Sequence, residues 1–211
     1  MRGNGLQQVL VAITSALVGV ITGLSCLTYG VSAHPIGWRV RTPEMIGVTA
    51  AASNPIQGWI LSEAVASYHH GTNLSMYKSY KSGSTNIEVY GGVLVPGRVG
   101  FTRTYEAIAG PQGYLECEPL LNGCDGDFKV DVAKIFVDAT NSEWQEMHRF
   151  ARYQRQVITH ELGHAVGLAH VEHPECNWVD TVMGHYRCFD KSAFFFTLQS
   201  HDVGDINNMY P

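Results

Sequence analysis

The 211-residue chain has few charged side chains, and it has none between residues 3 and 38. Charged residues make up 16% of the sequence, and the net charge is −5. Because the chain has neither a basic excess nor basic clusters, we expect no nucleic-acid partner. It also lacks internal repeats and proline-rich linkers, which predicts a single domain after the charge-free segment.

The charge-free segment follows Arg2 and is largely apolar from Leu6 to Val31. A basic residue, an apolar stretch and small residues ending at Ala33 are the pattern of a secretory signal peptide. We therefore expect residues 1–33 to be removed and residues 34–211 to be a single secreted domain. The alternative is an uncleaved anchor, because about 20 apolar residues can span a bilayer. A membrane association is expected only in that case.

Cysteine is scarce, with five residues in the chain, of which Cys26 lies in the predicted signal. The other four form no close C-x-x-C pair, which disfavours a cysteine-bound zinc ion. An even number of cysteines in an exported domain predicts two disulfides, and three connectivities are open. We favour Cys117 with Cys124 and Cys176 with Cys188, since both pairs close short loops.

One short run is rich in histidine and contains His160-Glu161-Leu162-Gly163-His164-Ala165-Val166-Gly167-Leu168-Ala169-His170. On a helix His160 and His164 lie about one turn apart, so both can reach the same metal ion. Glu161 points about a third of a turn away from His160, beside the ion, which suits a general base. Three neutral imidazoles would leave a zinc ion one open position for water, whose pKa falls to near 7.

His170 lies too far along a straight helix to share the metal ion of His164. Glycine tolerates the positive φ of a helix-ending turn, so Gly167 is predicted to end the helix and bring His170 back. A purely structural role for these side chains is unfavourable, because each buried polar group without a partner costs about 1–3 kcal/mol. The run therefore predicts a zinc site in which His160, His164 and His170 are ligands and Glu161 is the base.

The elongated HExxHxxGxxH pattern resembles that of the metzincin zinc endopeptidases. Thr181-Val182-Met183 resembles their Met-turn, which implies that Met183 forms an apolar floor beneath the ligands. Leu198 to Tyr210 resembles the C-terminal helix of the matrixin branch. The resemblance implies an α+β, metzincin-type zincin fold, with a twisted mixed five-stranded sheet, three main helices and a small C-terminal subdomain.

Two further features depart from the family pattern or go beyond it. Tyr186 falls one residue later than the metal-approaching tyrosine of astacins and serralysins. It is a candidate supporting residue that could donate a hydrogen bond to an oxyanion, or an ordinary loop side chain. Asp125 and Asp127 could bind Ca²⁺, but we favour a polar turn, because calcium takes six or more oxygen ligands.

Alternation and capping patterns predict the supporting elements. Strands are predicted at Trp38–Arg41, Thr85–Tyr90, Val99–Tyr105 and Val130–Val137, and helices from Asn54 to about His70 and from Ser142 towards His160. The resemblance implies that a peptide pairs with the edge strand of the sheet, which we place near Val130–Val137. The run Phe194-Phe195-Phe196 is predicted to be core in preference to pocket wall.

The sequence as a whole predicts a monomeric, secreted zinc endopeptidase that acts on peptides or proteins. Two alternatives stay open: a zinc-bearing binding protein of the same fold that cleaves nothing, and a hydrolase of non-peptide amides. Glu161 disfavours the binding protein, since a purely structural zinc site has no need of a carboxylate beside an open position.

Overall fold

The computed structural model describes residues 38–51, 56, 58–79, 86–92, 100–107, 114–117, 128–138, 151–171, 180–184 and 195–211. These residues all belong to one compact unit, Ala33–Pro211. In chain order the elements are β1 (Trp38–Val40), β2 (Ile46–Ala50), α1 (Gly58–Gly71), β3 (Met76–Lys78), β4 (Ile87–Gly92), β5 (Gly100–Ala107), β6 (Tyr114–Cys117), β7 (Phe128–Val130), β8 (Val132–Asp138), α2 (Ala151–Ala165) and α3 (Ser200–Met209). Within the described ranges no helix is long and apolar enough to cross a membrane.

The main sheet is mixed and has the strand order β3-β2-β4-β8-β5-β6. The first four strands run parallel to one another, and β5 is antiparallel to β8 and to β6. Strands β3, β2, β4, β8 and β5 form the expected five-stranded sheet. Strand β6 extends this sheet by pairing with β5. The α+β fold of metzincin type is thus confirmed. Strand β1 does not join this sheet and instead pairs in parallel with β7.

Alternation along the central strands gives the sheet one apolar face. In β8, Ala133, Ile135 and Val137 are fully buried, whereas Lys134 and Phe136 between them are only half-buried. Successive side chains of a strand point to opposite faces, so the buried set lies on a single side. Helix α2 contacts β5 and β8, and α1 packs against α2 and β2.

The prediction that the edge strand lies near Val130–Val137 is wrong. Strand β8 lies in the interior of the sheet, between β4 and β5. A near-continuous apolar run is typical of a central strand with neighbours on both sides, and sequence alone does not give the order of strands. The antiparallel strand beside the histidine helix is β5, and β6 covers only its second half, Thr104–Ala107.

One tyrosine joins the first strand to the end of α2. The hydroxyl of Tyr210 donates a hydrogen bond of 2.8 Å to the carbonyl of Val166 and accepts one of 2.9 Å from the amide of Val40. Burial raises the pKa of Tyr210 to about 12. The Tyr210 hydroxyl therefore links the turn that follows α2 to strand β1.

Candidate metal centre

Helix α2 and the turn after it bring three imidazoles together. His160 and His164 lie one turn apart on α2, and His170 follows the turn. The Nε2 atom of His170 lies 3.1 Å from that of His160 and 3.0 Å from that of His164. Within the described ranges, this metal-binding cluster contains the three imidazoles and no carboxylate or thiol.

Gly167 ends the helix in the way that its position predicts. Its φ is 102°, in the region that favours glycine. The amide of Gly167 donates to the carbonyl of His164 at 3.0 Å, and the amide of Leu168 donates to that of Gly163 at 2.9 Å. This pair of bonds is a Schellman motif, which reverses the chain and satisfies the last helical carbonyls. The reversal is what returns His170 to the other two imidazoles.

Backbone carbonyls fix the protonation of two of the rings. His160 Nδ1 lies 2.8 Å from the carbonyl oxygen of Val182, and His164 Nδ1 lies 2.8 Å from that of Leu168. A carbonyl can only accept, so each Nδ1 carries the proton and each Nε2 presents a lone pair. Burial, followed by the neighbouring His160 and His170, holds the pKa of His164 well below its usual value.

The convergence of the Nε2 atoms fits a divalent cation. The Nε2 atoms of His160 and His164 each face His170 Nε2, at 3.1 and 3.0 Å, and a single metal ion could accept the lone pairs of all three rings. Two nitrogens bound to a tetrahedral zinc ion at about 2.05 Å would lie about 3.3 Å apart, close to the observed spacing. Three neutral nitrogen ligands are also a donor set that zinc accepts in hydrolytic sites.

The side chain of Met183 lies directly against α2. Met183 is 1% exposed, and a Cβ atom added to Gly163 would come within 2.3 Å of its sulfur. The backbone of Met183 is held on both sides, because its amide donates to Thr181 Oγ1 and its carbonyl accepts from Val171, each at 2.9 Å. Gly163 immediately precedes His164, so the methionine supports the histidine-bearing turn of the helix.

A buried carboxylate on α3 holds the residues that precede Met183. Asp202 is 1% exposed and accepts hydrogen bonds from the Thr181 hydroxyl, from the Val182 amide at 2.9 Å and from the Gln199 amide at 2.9 Å. Burial raises the pKa of Asp202, and the hydrogen bonds oppose that rise. Since the Val182 carbonyl accepts a hydrogen bond from His160 Nδ1, Asp202 acts on the orientation of a metal-site imidazole through one residue.

A tyrosine on α1 supports the same helix from the other side. The hydroxyl of Tyr68 donates to the carbonyl of Thr159 at 2.6 Å, and the side chain is fully buried. Burial, together with the charges of Asp202 and Glu161, raises the pKa of Tyr68 well above its usual value. The neutral hydroxyl therefore remains a donor to the residue that precedes His160.

Glu161 lies beside the cluster and beneath β5. It is 5% exposed, and one of its carboxylate oxygens, Oε2, accepts a 2.7 Å hydrogen bond from the Thr102 hydroxyl. The same hydroxyl lies 3.0 Å from the backbone carbonyl of Glu161. The carboxylate of Glu161, the residue after His160, is thus held by β5 and does not belong to the imidazole cluster.

The structure brings most of the predicted site residues together, and it adds others. The three histidines form the cluster, Gly167 forms the turn between His164 and His170, and Met183 packs against Gly163 of the same helix. Tyr186, Asp125, Asp127 and Cys124, Cys176 and Cys188 lie outside the described residues, so their predicted roles stay predictions. The sequence analysis did not identify Thr102, Tyr68 or Tyr210. Alternation in β5, with threonines at 102 and 104, is the signal that could have drawn attention to Thr102.

The fold and the histidine cluster together define a zinc centre of metzincin type. The family model of the matrixin peptidases matches residues 58–211, a span that contains the histidine motif, Met183 and α3. The chain therefore belongs to the matrixin family, as the resemblance of its C-terminal helix predicts. Membership of this family supports a zinc metalloendopeptidase. No individually curated protein matches the chain.

Proposed function

We propose that the protein is a secreted zinc-dependent endopeptidase in which His160, His164 and His170 hold the ion and Glu161 is the general base. The proposal is carried by one observation: three Nε2 atoms converge, and the residue that follows His160 carries a carboxylate that is not a member of their cluster. Secretion is supported by the apolar, charge-free segment that follows Arg2.

The chain's own residues divide the work of hydrolysis. In the neutral form of His160 and His164 the proton sits on Nδ1, which donates to a backbone carbonyl, so Nε2 presents a lone pair. A zinc ion held by His160, His164 and His170 would supply Lewis-acid chemistry at the carbonyl of the bond to be cleaved. Glu161 accepts the proton of the attacking water and then donates it to the departing amine. Met183 supports the ligand-bearing turn from below, and Tyr186 is a candidate donor to the oxyanion.

The strand that a substrate meets is β5. Gly100 and Thr102 of this strand both lie against Glu161. An extended peptide whose scissile bond reaches Glu161 would therefore run beside the first half of β5, where β6 does not pair with it. Backbone pairing of this kind selects peptides over small amides, because the affinity comes from successive main-chain groups.

A substitution that keeps the shape of the base but removes its charge tests the proposal. The Glu161→Gln variant should retain its zinc content and its melting temperature but lose cleavage of an unfolded protein by at least about 100-fold. The matched control is Glu44→Gln, the same change at an exposed position, which should keep full activity. Zinc is measured by elemental analysis, and cleavage with and without a chelator.

Each alternative function gives a different result. A protein that binds zinc but shows no chelator-sensitive cleavage would be a binding protein of the matrixin fold. A protein that hydrolyses small amides and leaves peptides intact would be an amidase. Full activity of the Glu161→Gln variant would remove Glu161 from the mechanism.

A further inference from the structure

The inward face of β5 passes directly over the carboxylate of Glu161. Gly100 and Thr102 are two residues apart in the strand, so they share this face. Thr102 is 6% exposed, and its hydroxyl reaches both Glu161 Oε2, at 2.7 Å, and the Glu161 carbonyl, at 3.0 Å. A single hydroxyl therefore contacts the side chain and the backbone of the same residue.

Gly100 makes room for the other carboxylate oxygen. A Cβ atom at this position would lie 2.8 Å from Glu161 Oε1 and 3.2 Å from Glu161 Cγ. It would also lie 3.1 Å from Val157 Cγ1, on the preceding turn of α2. The place occupied by Oε1 exists because Gly100 has no side chain, and Val157 closes it on the helix side.

A glutamate without such contacts would not keep one orientation. Fixing a glutamate side chain costs up to about 2 kcal/mol of rotamer freedom. A hydrogen bond to an ionised carboxylate is about twice as strong as one between neutral groups, so the Thr102 hydroxyl offsets this cost. A general base has to lie within hydrogen-bond reach of the proton it removes, and small displacements lower the rate steeply.

We propose that Thr102 and Gly100 are positioning residues for Glu161. The Thr102 hydroxyl holds Oε2, and the missing side chain of Gly100 leaves a place for Oε1, so the carboxylate keeps one orientation beside the imidazoles. This role rests on the proposed function, in which Glu161 is the general base. A merely structural role, in which Thr102 only ties β5 to α2, would affect stability and leave the chemical step unchanged.

Three variants of the zinc-loaded protein separate the two roles. Thr102→Val removes the hydroxyl at nearly constant shape, Thr102→Ser keeps it, and Thr104→Val makes the same change two residues along the same buried face. For Thr102→Val we expect kcat to fall about 10- to 100-fold, with KM within about threefold and zinc content unchanged. Thr102→Ser and Thr104→Val should each have a kcat within about threefold of that of the unmodified protein.

Gly100→Ala tests the second half of the proposal. The added methyl group must displace either the carboxylate or β5, so kcat should fall about 10-fold or more while zinc stays bound. If Gly100→Ala and Thr102→Val both retain kcat within about threefold of the unmodified protein, the positioning role is wrong. A fall in kcat for Thr104→Val equal to that for Thr102→Val would assign the effect to strand packing.

Unfolding of the metal-free protein gives a readout that does not depend on catalysis. The changes in denaturation midpoint caused by Thr102→Val and by Glu161→Gln should not sum to the change in the double variant, because the two side chains contact each other. Additive midpoints would overturn the contact itself. An unmodified protein that cleaves nothing would overturn the general-base function, whereas a cleaving protein whose Thr102→Val and Gly100→Ala variants both keep their kcat would overturn only the positioning role.

Discussion

The buried carboxylate of Asp202 accepts a 2.9 Å hydrogen bond from the backbone amide of Val182. The carbonyl of Val182 accepts in turn from His160 Nδ1 at 2.8 Å. A side chain of α3 and a ring of the metal centre are therefore linked through a single residue. Such partners of ligating histidines fix the ring orientation and the tautomer, so they contribute to metal affinity without touching the ion.

Asp202→Asn should weaken zinc binding although it removes no ligand. The amide places a donor among three donors, which leaves at least one buried group without an acceptor. We expect zinc affinity to fall about 10- to 100-fold and the free energy of unfolding to fall by about 2–4 kcal/mol. Zinc titration against a competing chelator and urea unfolding measure the two effects.

The control for this variant is Asp131→Asn. Asp131 pairs with Arg41 at 2.7 Å near the surface, where an ion pair contributes at most about 1 kcal/mol. Its zinc affinity should equal that of the unmodified protein. Equal affinities for the Asp131→Asn and Asp202→Asn proteins would contradict the link from α3 to His160.

Gly163→Ala should disturb the support of the ligand-bearing turn. The new methyl group would lie 2.3 Å from the sulfur of Met183 and 3.2 Å from the hydroxyl of Tyr68. Overpacking of this kind costs about 1–3 kcal/mol. The control is Gly204→Ala in α3, where nothing lies within 4 Å, and there we expect a gain of about 0.5–1 kcal/mol. Thermal unfolding measures both variants. A loss of stability for Gly163→Ala but not for Gly204→Ala would assign the loss to the contact with Met183 and not to the change from glycine to alanine in a helix.

Gly167→Ala should weaken zinc binding because it strains the turn that returns His170. At a φ of 102° a side chain costs about 1–2 kcal/mol relative to glycine. Gly167→Asn should cost less, since asparagine tolerates positive φ better than alanine does. We expect zinc affinity to follow the order glycine, asparagine, alanine in competition titrations. An alanine variant with unchanged affinity would show that the turn does not control the position of His170.

The stability of the protein should fall at alkaline pH in part through Tyr210. The folded-state pKa of Tyr210 is raised to about 12, whereas an unfolded tyrosine titrates near 10. The unfolded chain loses this proton first, so the stabilisation is complete below about pH 10 and is lost as the pH rises to 12. The loss amounts to about 2–3 kcal/mol. Urea unfolding between pH 9 and 12 should show a shallower decline for Tyr210→Phe than for the unmodified protein.

The sequence predicted the metal site well because its geometry is mostly local. The spacing of His160 and His164 follows from one helical turn, and the position of His170 follows from one glycine. Met183 and the C-terminal helix were reached through a family resemblance, since neither has a local pattern that relates it to the histidines. The general scheme of an α+β domain followed from the same resemblance.

The sequence did not predict the order of the strands or the contacts between distant segments. The apolar run around β8 indicates burial, but it does not reveal that β4 and β5 flank it. The contact of Thr102 with Glu161 depends on the register of β5 against β8 and on the packing of α2 beneath them. Strands β2 and β3 were missed because their patterns are short, and β3 has only three residues.

Two of the hydrogen bonds that hold the histidine site come from residues translated after it. Tyr210 follows its acceptor Val166 by 44 residues, and Asp202 follows Val182 by 20. During synthesis the three imidazoles are therefore made before these two partners. The helix can form early, but the Val182 carbonyl that accepts from His160 is held in place only once α3 has docked, so tight loading of the metal belongs to a late stage of folding.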